Sequence, residues 1–414
     1  MTVALLKYYE RNQQKSQTKF MKTGYSIRTW RMRLVCPEPI WLARTEEYFQ
    51  NVVEFYYHLL RQHEELWNSS LFDIQRSLEL LTLAGRDGRQ PTNPLPMGKV
   101  PVYLRRAAIN KASATVKSTQ ELQSGFPEKL EAKVTFFKGM YSDLTDRSIC
   151  LKLWNGEKWI WTDCNLKGRP FPQDGQLMSP TLVKEGRRYL LNIPVKQENS
   201  DARTAKERMA EGTNLCSVRF TNTDTFAVCC ILDEQGKQLA VHTCRGGDAY
   251  RHRCKLLETR IQKSRPNTVG DNSPQPNRKY YMHLKNLSEH YAHQVSREIL
   301  NFCKENQAGI IVLPDYDQNF TRMAMIKSGN FSPLHLSSKI RTNLQYKAWA
   351  EGILVLETRT DGLKDKCAIC GGKVRRKGNE FLCENGHQGN RFLNDARNLG
   401  RKCQDSFFRG SRTK

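Results

Sequence analysis

The 414-residue sequence has no apolar run of about 18 residues, the length a membrane-spanning helix needs, and no lipidation signal. Residues 1–24 contain no continuous apolar segment ending in small residues, so the expectation is a chain kept inside the cell, in the cytoplasm. There is no GxxxxGK[ST] and no GxGxxG stretch, which leaves a P-loop ATPase or a dinucleotide-dependent enzyme without support. Acidic residues are scarce: Asp+Glu number 42 against Lys+Arg 66, giving a net charge of +24 and an isoelectric point near 9.6. A field of that sign binds polyanions and releases their counterions, so nucleic acid is the leading partner. Only 38% of residues are hydrophobic and mean hydropathy is −0.66. The chain therefore reads as a polar, multidomain protein with much wet surface, long enough for several cores.

The densest information lies between residues 367 and 402. Cys367 and Cys370 form one close pair; Cys383 and His387, beyond a basic hairpin-like run, form a second. Two such pairs suit a tetrahedral Zn²⁺ site, and with all four positions filled the spacing predicts a structural ion rather than a catalytic one. Gly371-Gly372 and Lys377-Gly378-Asn379 permit the tight turns, and the segment is too short and polar to fold on a core of its own. In a reducing cytosol the other cysteines are expected as small buried hydrophobes rather than disulfides.

Residues 1–23 read as a flexible basic arm. Residues 25–35 alternate as a half-buried strand, and 41–67 and 72–83 carry helical periodicity. After a Pro/Gly linker at 85–98, a helix presents Arg105, Arg106, Lys111 and Lys117 as candidate nucleic-acid contacts. Strand signals follow at 133–137, 148–154, 158–162 and 188–195, separated by Asn155-Gly156 and Gly186. A charged stretch at 197–212 marks a domain boundary. Beyond it lie three strand signals (215–221, 226–233, 238–242), then a basic helix with Arg251, Arg253, Lys255 and Arg260, a second group of candidate contacts. A Pro/Asn/Ser-rich loop at 265–278 precedes a long helix at 279–307. That helix feeds the apolar strand 310–313, the grammar of a parallel pair.

Asn394-Asp395-Ala396-Arg397-Asn398-Leu399, opening a basic helix directly after the metal ribbon, resembles the Asn-Ala-Ala-Arg-Asn end of the RuvC-like nuclease domain in TnpB. The miniature type V CRISPR effectors share that ending. The resemblance implies a multidomain α+β fold. Its first part is an N-terminal β-barrel (24–40 and 126–200) into which a helical recognition lobe (41–125) is inserted. An RNase H-like (RuvC) α/β domain (213–362 and 390–414) follows, with an inserted zinc ribbon (363–389). It further implies a guide RNA beside the structural Zn²⁺ and a double-stranded DNA target, with transposition or other accessory proteins as further partners.

An active RuvC-like site brings three carboxylates from distant segments onto two Mg²⁺ ions. Carried over by motif, their places fall on Arg219 in the first strand, Pro314 in Ile311-Val312-Leu313-Pro314-Asp315, and Phe392, two residues before Asn394. None of the three can ligate Mg²⁺. The resemblance thus implies an RNA-guided DNA-binding protein that is not an enzyme. The same loss, with Leu-Pro at the second place, resembles the inactive effector of type V-K CRISPR-associated transposons. Two alternatives stay open. One is an active RNA-guided endonuclease with displaced carboxylates drawn from Asp224, Asp315, Asp317 and Asp395. The other is a zinc-ribbon DNA-binding protein that uses no guide.

Overall fold

The structure, a computed structural model, describes residues 24–85, 87–172, 174–264, 277–316 and 333–409. The expected arm at 1–23, most of the 265–278 loop, Asp317 and residues 410–414 lie outside them. The chain forms two compact units: one spans Ile27–Gln197, and the other comprises residues 198–409 with the short segment before Ile27.

In the first unit, strand β1 (Tyr25–Val35) buries Met32 and Leu34 between exposed Arg31 and Arg33, a period of two that leaves one face wet. Helix α1 (Pro39–Gln62) opens on a proline whose missing N–H costs nothing there, and buries Leu42, Thr45, Phe49, Val52, Tyr56 and Leu60 at three- and four-residue steps. Helix α2 (Leu71–Thr82) is capped by Ser70, whose hydroxyl accepts from Asp73 N at 3.2 Å, and helix α3 (Val102–Glu121) packs on both. The chain then returns to the sheet through β2 (Tyr141–Ser142), β3 (Ser148–Trp154), β4 (Trp159–Lys167), β5 (Gln176–Leu177), β6 (Thr181–Glu185) and β7 (Arg188–Glu198). The strand order is β2-β3-β4-β1-β7-β5, with β6 also on β7; β2–β3, β3–β4, β4–β1, β7–β5 and β7–β6 are antiparallel. All three helices are thus inserted between β1 and the rest of its own sheet.

The segment 133–137 is corrected from strand to a single bridge between Thr135 and Thr181, although Val134 and Phe136 are fully buried. Phe136 N donates to Pro180 O at 2.9 Å and Leu182 N to Val134 O at 2.8 Å. Pro180 has no N–H to return, so a regular ladder cannot extend past it.

In the second unit, a meander of β8 (Asn214–Phe220), β9 (Thr225–Leu232) and β10 (Gln238–Arg245) joins β11 (Ala308–Asp315) and β12 (Leu354–Arg359) in the order β10-β9-β8-β11-β12. β11 runs parallel to both neighbours and is apolar along almost its whole length because both sheet faces are covered. Helices α6 (Arg278–Glu305) and α7 (Ser337–Trp349) cover Cys216, Val218, Ile311 and Leu313, while α5 (Gly247–Lys263) packs on α6. Helix α8 (Arg391–Arg409) covers Leu215, Leu232, Ile310 and Val312 with Ala396, Leu399 and Cys403. Within the charged stretch 197–212 sits one short helix, α4 (Ala205–Ala210), held by a capping box between Thr204 and Glu207. Its Arg208 is fully buried, donating to the carbonyls of Gly309 (2.7 Å), Gly352 (2.6 Å), Asp201 (2.7 Å) and Arg203 (3.2 Å). One guanidinium thereby ties the start of β11 to the turn before β12.

Candidate functional site

The ribbon is a three-stranded antiparallel sheet of β13 (Val374–Lys377), β14 (Glu380–Cys383) and β15 (Gln388–Asn390). Its apolar cluster is only Cys367, Phe381 and Cys383 with Val374 against them, too little to hold a sheet in water by burial alone. Two knuckles present the ligands. Gly371 N donates to Cys367 O at 2.8 Å and Gly386 N to Cys383 O at 3.0 Å, and each glycine adopts a positive φ (+77° and +84°) that a side chain would strain. The ligand atoms of Cys367, Cys370, Cys383 and His387 all lie within 4.8 Å of one another, so these four residues could hold one metal ion. Backbone N–H groups of Ile369 and Asn385 point at the sulfurs of Cys367 and Cys383, each at 3.4 Å. Asn385 Nδ2, at 3.3 Å, leads the contacts that hold the Cys370 thiol down at about 6, close to the thiolate form a metal binds. Nδ1 of His387 is buried without a hydrogen-bond partner in the protein, a need that a metal or an ordered water would meet.

Helix α8 docks this ribbon through Asn394, Asn398 and Arg401. Asn394 accepts from Ala368 N at 2.8 Å and donates to Lys366 O at 2.9 Å. Asn398 donates to Lys366 O at 2.8 Å and Leu363 O at 3.1 Å, and Arg401 donates to Ala368 O and Gly236 O. The asparagines and Arg401 therefore act as joints between helix and ribbon.

At the C-terminal ends of the parallel strands a pocket of about 340 Å³ gathers Arg219 from β8, Tyr316 just past β11, Phe392 and Asp395 from α8, and Arg376 from the ribbon. Asp395 is 1% exposed. Arg376 Nη2 donates to one of its carboxylate oxygens at 2.5 Å, and Arg219 Nε lies 3.3 Å from the other. That second contact is an ion pair without hydrogen-bond alignment, since Arg219 Nε has no directed partner. Arg219 Nη1 donates to Tyr316 Oη at 2.8 Å, and burial raises the phenol's pKa, keeping it protonated.

The three expected places are not equally gathered. Arg219 and Phe392 line the pocket; Pro314 does not, and its carbonyl accepts from Arg341 Nη2 at 3.2 Å. Arg341 Nε lies 3.5 Å from Glu357 on β12, whose carboxyl is raised by burial and further by Asp315. Asp224 sits elsewhere, accepting from Asp248 N at 3.1 Å in the first turn of α5. Reasoning along the chain missed Arg376 and Tyr316 because nothing local distinguishes an arginine on a hairpin or a tyrosine after a strand.

The basic candidates divide by burial. Arg105 does not belong to an exposed face: it is 7% exposed, Nη2 lies 3.0 Å from Glu79, and Nη1 donates to Val100 O at 3.4 Å. Its charge is used within the helical bundle. Arg106 is half-exposed and shares Glu79, Lys117 donates to Ser69 O at 2.8 Å, and Lys111 is exposed. On α5, Arg251 pairs with Asp248 and donates to Asn222 O, whereas Arg253, Lys255 and Arg260 are exposed. Arg253 and Arg260 flank an apolar groove floored by Leu256, Leu257 and Leu287.

Compared with known proteins, residues 26–155 match the model of the Aq_aa04 family. No curated protein matches the chain. Among solved structures, the Cas12f1–sgRNA–target DNA complex is similar at a TM-score of 0.51 and 13% identity, over 87% of this chain and 81% of that one. The mini-RNA-guided endonuclease CRISPR-Cas_phi3 is similar at a TM-score of 0.52 and 10% identity, over 95% of this chain and 97% of that one. The chain thus has the mixed α/β, multidomain fold of the miniature type V CRISPR effectors.

Proposed function

We propose that this protein is an RNA-guided DNA-binding protein whose RuvC-like site does not cut. The observation that carries the reading is Asp395, buried with a guanidinium against each of its carboxylate oxygens. A two-metal nuclease needs carboxylates with free lone pairs and uncompensated charge. Here Arg219 and Arg376 supply from within the chain the positive charge that Mg²⁺ would bring, and a metal would have to displace both. The five-stranded unit is the RuvC-like domain, and the seven-stranded unit with its inserted helices is the barrel and recognition lobe that hold a guide RNA. The Cys₃His ribbon holds a structural zinc, which its thiolates and imidazole suit. Guide pairing would select the target while the protein grips the heteroduplex backbone and reads a short flanking motif. Target binding itself is then the output, by transposon targeting, blocking or repression.

The test uses the complex purified with its own RNA, in Mg²⁺ and in Mn²⁺, on a matched duplex. Binding without cleavage of either strand is expected. Guide-dependent nicking that is lost in Asp395→Asn would establish displaced carboxylates instead. RNA-free protein that binds DNA with full affinity would remove the guide.

A further inference from the structure

We propose a second metal site, at the edge of the five-stranded sheet, where His242, Cys244 and Glu298 bind a divalent ion of the zinc class through one imidazole nitrogen, one thiolate and one carboxylate oxygen. The three ligand atoms already lie within 4.8 Å of one another. Strand alternation puts His242 and Cys244, two apart on β10, on one face, and α6 brings Glu298 across to them. His242 Nε2 is 2.6 Å from Glu298 Oε1. A tetrahedral ion with bonds of about 2.0 Å to nitrogen and oxygen sets such donors about 3.3 Å apart, so they need part by less than about 1 Å.

Burial is graded across the three residues. Cys244 is fully buried, while the side chains of His242 and Glu298 are 35% and 33% exposed. Among the described residues β10 is the edge strand of its sheet, and with His242 and Glu298 about one-third exposed an ion can reach the site from solvent and keep water on its open coordination position. Three protein ligands and one open position describe an exchangeable site, unlike the four-ligand ribbon. The Phe302 ring, 5.2 Å from the His242 ring, limits how the imidazole can turn. Binding as a thiolate would release the Cys244 thiol proton to solvent. A bound ion would pin β10, and the α5 helix that follows it, to α6.

The experiment counts ions in the full chain after chelation and reconstitution with Zn²⁺ alone, by elemental analysis, with circular dichroism on each variant. Two per chain are expected in the wild type, and one in Cys244→Ser and in Cys367→Ser plus Cys383→Ser. Glu298→Gln, which changes a partly exposed side chain and serves if Cys244→Ser does not fold, should weaken the second ion about tenfold or more and leave the first unchanged. One ion in the wild type with none in the ribbon variant overturns the proposal. So does a second ion held with unchanged affinity in a folded Cys244→Ser or Glu298→Gln protein.

Discussion

The ribbon cluster and the Asp395 pocket both lean on the first turns of α8, yet they settle charge in opposite ways. In the ribbon, three thiols and an imidazole converge, and backbone N–H groups already orient two of the sulfurs. In the pocket, a carboxylate converges with two guanidinium groups, and its charge is compensated inside the chain. An ion entering the first would meet ligands and no charge to displace, whereas one entering the second would have to displace guanidinium groups already in place. The two are also mechanically linked. Arg376 stands on β13 of the ribbon and reaches Asp395, so the folding of the ribbon places the group that closes the pocket.

The largest effect should come from emptying the ribbon. Structural zinc sites in small modules carry apparent binding energies of about 10–16 kcal/mol, and the apolar cluster here cannot replace that. Cys367→Ser plus Cys383→Ser should lose the ribbon's ion and open 374–390 to limited proteolysis, read by mass spectrometry. A protease-resistant ribbon in that variant would break the comparison. Next, Arg376→Ala should cost about 3 kcal/mol in urea unfolding, because it leaves a buried carboxylate short of a partner. Adding Asp395→Asn should return part of that loss, and the double-mutant cycle measures the coupling directly.

A smaller effect is expected from pH. Burial holds Glu357's folded pKa above its unfolded value, so the stability linked to its proton is complete below about 4.3 and is lost as pH rises through the folded value. Glu357→Gln should therefore flatten the fall in unfolding midpoint on that limb, measured from below pH 4 to neutrality. An unchanged limb would mean that Arg341 already compensates the charge. The smallest effect on the fold should come from Arg253→Ala, Lys255→Ala and Arg260→Ala on α5. These should leave stability within about 0.5 kcal/mol while lowering the salt slope of nucleic-acid binding by about one unit per lost phosphate contact. Arg105→Ala should do the reverse, lowering stability with no change in slope, since its partner is Glu79.

Legibility followed distance along the chain. The four ribbon ligands lie within one short window, where spacing alone limits the geometries, so they could be named from the sequence. Arg219 and Phe392 were reachable by motif, but their meeting with Asp395, Arg376 and Tyr316 joins four segments that no local pattern connects. Arg105 illustrates the opposite error: basic residues on a helix look alike in sequence, and only the packing of the helical bundle decided that Arg105 is buried while Arg106, on the same Glu79, stays half-exposed.

By itself the sequence determined the net charge of +24, most of the alternation and periodicity that became strands and helices, and the Cys₃His set. Each is a property of composition or of near neighbours. Tertiary structure alone decided that Arg208 is swallowed whole because four carbonyls from three segments point at it, and that Pro180 stops a ladder. It likewise decided that Asp395 faces two arginines rather than solvent. These outcomes depend on which backbone and side-chain groups are brought within about 3 Å by the packing of the sheet and its helices, a quantity that no single segment encodes.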